Sequence, residues 1–169
     1  MCEYCGCQAV PAIAELTREH DAVVALISQV RAAHGAGNVA AMAVLARRIA
    51  VILGPHTQVE EEGLFPALDD DFPDQVAALR AEHRRVEAVL DAAAAGVPAE
   101  PGWPDRFLTM VEMLREHILK EQDGVFPAAL TGLRTADWEA VDAVRARVGS
   151  AAAIDSIRQP HEQQGLARE

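Results

Sequence analysis

Positive charge, aromatic side chains and long apolar runs are all scarce in this chain. Lysine and arginine number 15 against 26 aspartates and glutamates, for a formal net charge of -11. An acidic surface repels phosphate backbones, which argues against nucleic acid or an anionic membrane as a partner. Aromatic residues make up only 4% of a sequence that is 50% apolar and rich in alanine and leucine. Strands favour β-branched and aromatic residues, so this balance predicts packed helices rather than sheets. No uninterrupted apolar run approaches the ~20 residues of a membrane span. No segment joins a basic start to an apolar core as a signal peptide would. Together these absences predict a soluble, cytoplasmic protein, and its 169 residues predict one domain with a sizeable core.

Cysteine is absent beyond residue 7. Cys2, Cys5 and Cys7 are the only three, and an odd number crowded at one end is not a disulfide framework. It fits a reducing compartment, where thiols stay free or bind metal. Thiolates at Cys-x-x-Cys-x-Cys spacing are candidates to hold zinc or copper, to exchange disulfides or to scavenge oxidants; they are equally readable as incidental thiols of a tail. Tyr4, the sole tyrosine, lies among them. It is a candidate additional metal ligand if residues 1–11, read here as a Cys-containing N-terminal arm, fold over one end of the protein.

What the sequence does contain is a phrase said twice. His56-Thr57-Gln58-Val59-Glu60-Glu61-Glu62-Gly63-Leu64-Phe65-Pro66-Ala67 returns as His117-Ile118-Leu119-Lys120-Glu121-Gln122-Asp123-Gly124-Val125-Phe126-Pro127-Ala128. Both copies read His-x-x-x-Glu, then Gly-x-Phe-Pro-Ala. A second echo precedes each copy, with Leu16, Glu19, His20 and Val23 matching Leu79, Glu82, His83 and Val86. This predicts a duplicated αα-hairpin, each unit carrying one lone His and one His-x-x-x-Glu.

Apolar periodicity predicts four long helices. The first runs from about Ile13 to His34 and stops at Gly35-Ala36-Gly37, with His34 as a C-terminal cap and Asn38 as N-cap of the second. The second carries Met42, Leu45, Ile49, Ile52, His56 and Glu60; Pro55 predicts a bend or a junction of two pieces. The third reads Val76, Leu79, His83, Val86 and Leu90, and the fourth Phe107, Met110, Leu114, His117 and Glu121. After Phe126-Pro127 a short linker is expected, then a short fifth helix with Trp138, Val141, Val144 and Val148 on one side. The expected architecture is all-α: an up-down-up-down four-helix bundle over residues 12–131, followed by the short helix and polar tail of residues 132–169.

The chemistry sits on the core face. A Glu four residues after a His lies one turn along the same face of a helix. His20, His56, Glu60, His83, His117 and Glu121 are all in phase with the leucines, isoleucines and valines that must turn inward. A buried carboxylate is costly without compensating charge. Two of them among four imidazoles make sense around a pair of metal ions, and imidazole with carboxylate suits iron, manganese or zinc.

In these features, from about Ile13 to Leu130, the chain resembles the hemerythrin-like family, the HHE cation-binding domains. The resemblance implies a non-haem di-iron centre inside a four-helix bundle. It places a lone His at His20, His-x-x-x-Glu at His56 and Glu60, a third-helix His at His83, and the fourth-helix pair at His117 and Glu121. It also implies that Glu60 and Glu121 bridge two iron ions which the histidines cap. Oxygen-carrying members have a further His one turn after the third-helix His, where this chain has Glu87. They have an Asp five residues after the fourth-helix His, where this chain has Gln122. Reversible oxygen carriage is therefore not the expectation, and Glu87 is a candidate replacement ligand, with a solvated or outer position as the alternative.

Glu19 and Glu82 adjoin the lone histidines but point about 100° away from them, so they are expected as surface charge, with support of a ligand on a neighbouring helix as the alternative. Glu61 and Glu62 are expected in solvent, and His161 in the tail is given no role. The expected function is that of a di-iron protein binding or reacting with peroxide, dioxygen or nitric oxide. An iron- or oxygen-sensing or storage module without turnover, or a structural bundle holding zinc or no metal, are the other classes.

Overall fold

The computed structural model describes residues 10–149, so Cys2, Tyr4, Cys5, Cys7 and His161 lie outside the described residues. Among the described residues every regular element is helical. Helix α1 spans Pro11–Gly35, α2 Val39–Val59, α3 Pro73–Asp91, α4 Trp103–Lys120, α5 Phe126–Gly132 and α6 Thr135–Val148. Helix α1 packs against α2 and α4, and α3 packs against the same two.

The local signals explain the boundaries. Pro11 and Pro73 stand in the first turns of α1 and α3, where the missing backbone donor costs nothing. Between α1 and α2 the chain turns through Gly37, whose φ of 63° favours glycine. The Asn38 side chain then accepts from the Ala41 N–H at 3.0 Å, the expected N-cap. His34 acts differently from the expected cap: its Nε2 meets Asp105 Oδ1 at 2.7 Å, tying the end of α1 to the start of α4. Pro55 lies within α2 without dividing it into two helices.

The repeated phrase folds the same way twice. In each copy the α-helix passes at its Glu into a five-residue π-helical turn, Glu60–Leu64 after α2 and Glu121–Val125 after α4. The N–H of Phe65 reaches back to the Glu60 carbonyl, and that of Phe126 to the Glu121 carbonyl. The next residue in each copy is proline, which has no N–H to continue the ladder, and such π turns are frequent at functional sites. The copies then diverge. Phe65–Ala67 is a single 3₁₀ turn, whereas Phe126 opens α5 where a linker was expected. Pro127 sits in the first turn of α5, a position that tolerates proline.

Helix α6 packs on the first π turn and on α2 and α1. A Cβ on Gly63 would stand 3.0 Å from the Val141 Cα, so any side chain there would press α6 back by a few tenths of an ångström, while Gly124 has open space at the same place in its copy.

Two apolar clusters fill the interior. One is built on Ile27, Ile49, Phe107 and Leu114. The other is built on Ile13, Leu16, Phe65, Phe126 and Val141. In α1, α2 and α3 the phrase residues stand between the stretches that feed these clusters, so a polar layer is closed on both sides by hydrocarbon. The segment Val39–Ala67 is long and apolar enough to cross a membrane by length and composition, with a mean hydropathy of 1.4. Arg47, Arg48 and His56 interrupt it, so no unbroken apolar run marks it in the sequence. Its Met42, Ile49, Ile52 and Val59 are buried against the other helices, which accounts for the apolar length by core packing.

Candidate metal centre

The six residues singled out by periodicity converge. His20, His56, Glu60 and Glu121 form one group, and Glu60, His83, His117 and Glu121 form a second; in each group the ligand-type atoms lie within 4.8 Å of one another. Both carboxylates belong to both groups. All six side chains are buried, with Glu60 and Glu121 at 0% exposure and His83, the most open, at 8%.

Around Glu121, His20 Nε2 stands at 3.1 Å and His117 Nε2 at 2.9 Å. Around Glu60, His56 Nε2 and His83 Nε2 both stand at 3.4 Å. Nevertheless, none of the four carboxylate oxygens of Glu60 and Glu121 receives a hydrogen bond. An ion buried without compensation costs several kcal/mol, in a fold whose whole stability is of the order of 5–15 kcal/mol. Two such ions side by side require positive charge between the helices.

The imidazoles are turned to supply lone pairs to that same space. His56 Nδ1 meets Glu19 Oε2 at 2.8 Å, His83 Nδ1 meets Glu61 Oε1 at 2.9 Å, and His117 Nδ1 meets Glu82 Oε2 at 2.7 Å. A carboxylate accepts, so in each ring Nδ1 donates and Nε2 carries the lone pair. His83 Nε2 and His117 Nε2 then face each other at 3.0 Å. Two lone pairs repel at that distance, so a cation or an added proton belongs between them. Outer partners of this kind fix the tautomer and orientation of metal-binding histidines. The donor set, the orphaned carboxylate oxygens and the converging Nε2 atoms all fit metal cations. Phe126 stacks on His20 with ring centroids 5.6 Å apart, and Phe65 on His83 at 5.7 Å, so an apolar ring covers one face of each imidazole.

Without a metal, protons fill the same role. Burial opposes charge on His56, but the charge of Glu60 and the hydrogen bond to Glu19 outweigh it and push its pKa up to about 10. Burial likewise opposes charge on His83, but the facing carboxylates of Glu121 and Glu60 push it up to about 10. Burial and the charge on Glu121 favour a neutral Glu60, but the neighbouring His56 pulls it down to about 2. Glu121 is held well below the usual carboxylate range, against its burial, by the imidazoles of His117, His20 and His83 gathered around it.

Three outer residues overturn the expectation of surface charge. Glu19 is 2% exposed, and Glu82 and Glu61 are part-buried against His117 and His83. The 100° offset that turns Glu19 and Glu82 away from their own histidines aims each at the histidine of a neighbouring helix. Glu62 is exposed as expected, where it pairs with Arg147. Arg145 had not been singled out. It falls in phase with Trp138, Val141 and Val148, so a charge on the apolar stripe of α6 was its signal. Glu87 is exposed and stands apart from both buried groups. It lines, with Glu61, Arg84 and His83, a cleft of about 380 Å³ between α2 and α3 that reaches the His83 side of the layer. The position one turn beyond His83 opens on this cleft, and Glu87 is exposed there.

No curated protein and no solved structure matches the chain. Residues 12–129 match the family model described as the hemerythrin HHE cation binding domain. The matched stretch takes in all six convergent residues and well over half of the sequence, and the chain belongs to that family of cation-binding domains.

Proposed function

We propose that this chain is a non-haem di-iron protein that binds or reacts with a small oxidant, namely peroxide, dioxygen or nitric oxide, within an up-down-up-down four-helix bundle made of two αα-hairpins. The observation that carries the reading is the sharing of Glu60 and Glu121 between two His pairs. Two carboxylates common to two groups suit two cations held close together, with manganese or zinc as the chemical alternatives to iron. His20 and His56 would serve one cation and His83 and His117 the other. Each would then receive two neutral imidazoles and a share of two anions. When bound, iron supplies electrons and an exchangeable coordination position for a small molecule.

The protein's own part is to hold and to exclude. Glu60 and Glu121 supply fixed negative charge. Glu19, Glu61 and Glu82 keep the hydrogens of His56, His83 and His117 on Nδ1, so that each Nε2 lone pair stays aimed inward. Phe65 and Phe126 shield the rings, and the apolar clusters keep bulk water out. The cleft beside His83 is where a small polar molecule reaches the layer. A cytoplasmic location fits the same reading.

The test is optical. Oxidised, iron-loaded protein should show ligand-to-metal bands that move on addition of azide, and it should consume hydrogen peroxide over repeated additions. A single stoichiometric bleaching by peroxide would favour a sensing or storage module. Indifference to both azide and peroxide would remove the exchangeable position and with it the proposal.

A further inference from the structure

Arg145 lies on α6, beyond the residues that the family model matches. Its guanidinium is buried, at 8% exposure, and grips Glu19 with both terminal nitrogens, Nη1 to Oε1 at 2.8 Å and Nη2 to Oε2 at 2.9 Å. Nη1 also donates to the Gly149 carbonyl at 3.2 Å, and Nε stands 3.5 Å from Glu15 Oε2. The carboxylate it holds is the one that accepts from His56 Nδ1 at 2.8 Å. Arginine, carboxylate and imidazole therefore form one continuous chain from α6 to the metal centre.

Comparison of the two copies shows why α6 is needed. In the second copy Glu82 accepts from His117 and is paired with Lys120 of the same phrase. The place matching Lys120 in the first copy is Val59, which is apolar and fully buried. The first copy has no cation of its own at that position, and α6 brings one in from outside the repeat. Gly63 admits α6 to within van der Waals contact of the π turn that begins at Glu60.

A planar guanidinium in two-point contact fixes the plane and position of a carboxylate, which a lysine ammonium does not. Removing one member of a buried charge pair leaves the other uncompensated. We propose that Arg145 is a positioning residue of the metal centre: by clamping Glu19 it fixes the orientation and tautomer of His56, and so sets the affinity of the position formed by His20 and His56 without acting on the position formed by His83 and His117. This rests on the reading that these residues hold metal.

Cobalt(II) titration of the full chain, followed by its visible absorption, tests both. Wild-type protein should take up two equivalents. In Arg145→Leu one of the two affinities should fall about 10–100-fold, the usual effect of losing an outer partner, with the other unchanged. Arg145→Lys should fall between the two, which also keeps the test informative if the leucine variant folds poorly. The exchangeable Nδ1–H resonance of His56, shifted by the bound cobalt, should exchange faster with solvent in both variants, while that of His117 should not. Arg147→Ala, which removes the exposed contact of α6 with Glu62, should leave both affinities as they were. Equal weakening at both positions, or no weakening at either with normal wild-type uptake, overturns the role of Arg145 alone. Failure of the wild-type chain to take up cobalt at these residues overturns the metal reading together with it.

Discussion

Replacing Glu60 and Glu121 together by glutamine should abolish metal uptake. Both carboxylates belong to both groups, so no position survives the double change. Losing an outer partner alone typically costs 10–100-fold in metal affinity, and these two are the shared anions themselves. The effect extends to stability. A metal at a hundred times its Kd stabilises the fold by about 2.7 kcal/mol per site. At roughly 2–4 °C per kcal/mol for a chain of this size, two sites amount to about 10–20 °C in Tm. Calorimetry with and without metal should show that gap in wild type and none in the double variant. Each single variant should weaken both positions, whereas His20→Ala should weaken one. A double variant that kept full metal content would mean that the carboxylates do not bridge.

Acidity should act on the metal-free and metal-loaded protein in opposite directions. His56 and His83 are raised from 6.5 to about 10 in the metal-free fold. Their contribution is complete below pH 6.5 and is lost as the pH rises through 10. Glu60 is lowered from 4.5 to about 2, so its contribution is complete above pH 4.5 and is lost as the pH falls through 2. The metal-free protein should therefore be most stable between those limits, from pH 4.5 to 6.5. Metal must displace the imidazolium protons, so its affinity should rise about tenfold per pH unit for each proton released. Melting curves from pH 6 to pH 9 should show the loaded and metal-free midpoints drawing apart. A constant gap would mean that metal and these protons do not compete for the same lone pairs.

Much of the centre was legible in the sequence because helical phase is strict. His20 sits in the stripe of Leu16, Val23 and Ile27, and all four are buried. The same holds for His56 and Glu60 with Ile49 and Ile52, and for His117 and Glu121 with Met110 and Leu114. The outer residues were harder to read, because they act between helices. Glu19 lies off the stripe of its own helix and serves His56 on the next one, a relation that depends on packing and not on spacing along the chain. Glu61 is displaced for a further reason: the π turn beginning at Glu60 alters the helical phase just where Glu61 stands. Glu87 shows the converse. It has the right spacing from His83, but that position faces the cleft of α2 and α3 and lies in the open. The divergence after each Phe-Pro also escaped a reading of identical phrases; α6 lies against Gly63, whereas a Cβ on Gly124 would meet nothing within 4 Å.

The departure from internal symmetry bears on function. His83 is anchored by Glu61, which stands five residues after His56. The matching residue for His20 is Gln122, five after His117, and His20 Nδ1 has no hydrogen-bond partner. Of the four imidazoles, His20 is the one with no carboxylate behind its Nδ1; Phe126 and His56 pack on its ring and its Nε2 stands 3.1 Å from Glu121. The two positions share their carboxylates but differ in how firmly their histidines are held.

The most direct test of the account is the metal count. Anaerobic titration of the metal-free chain with iron(II), followed by elemental analysis after gel filtration, should give uptake that saturates at two ions per chain and is lost in the variant lacking both Glu60 and Glu121. Saturation at one ion, or uptake that survives in that variant, would contradict a paired centre built on shared carboxylates.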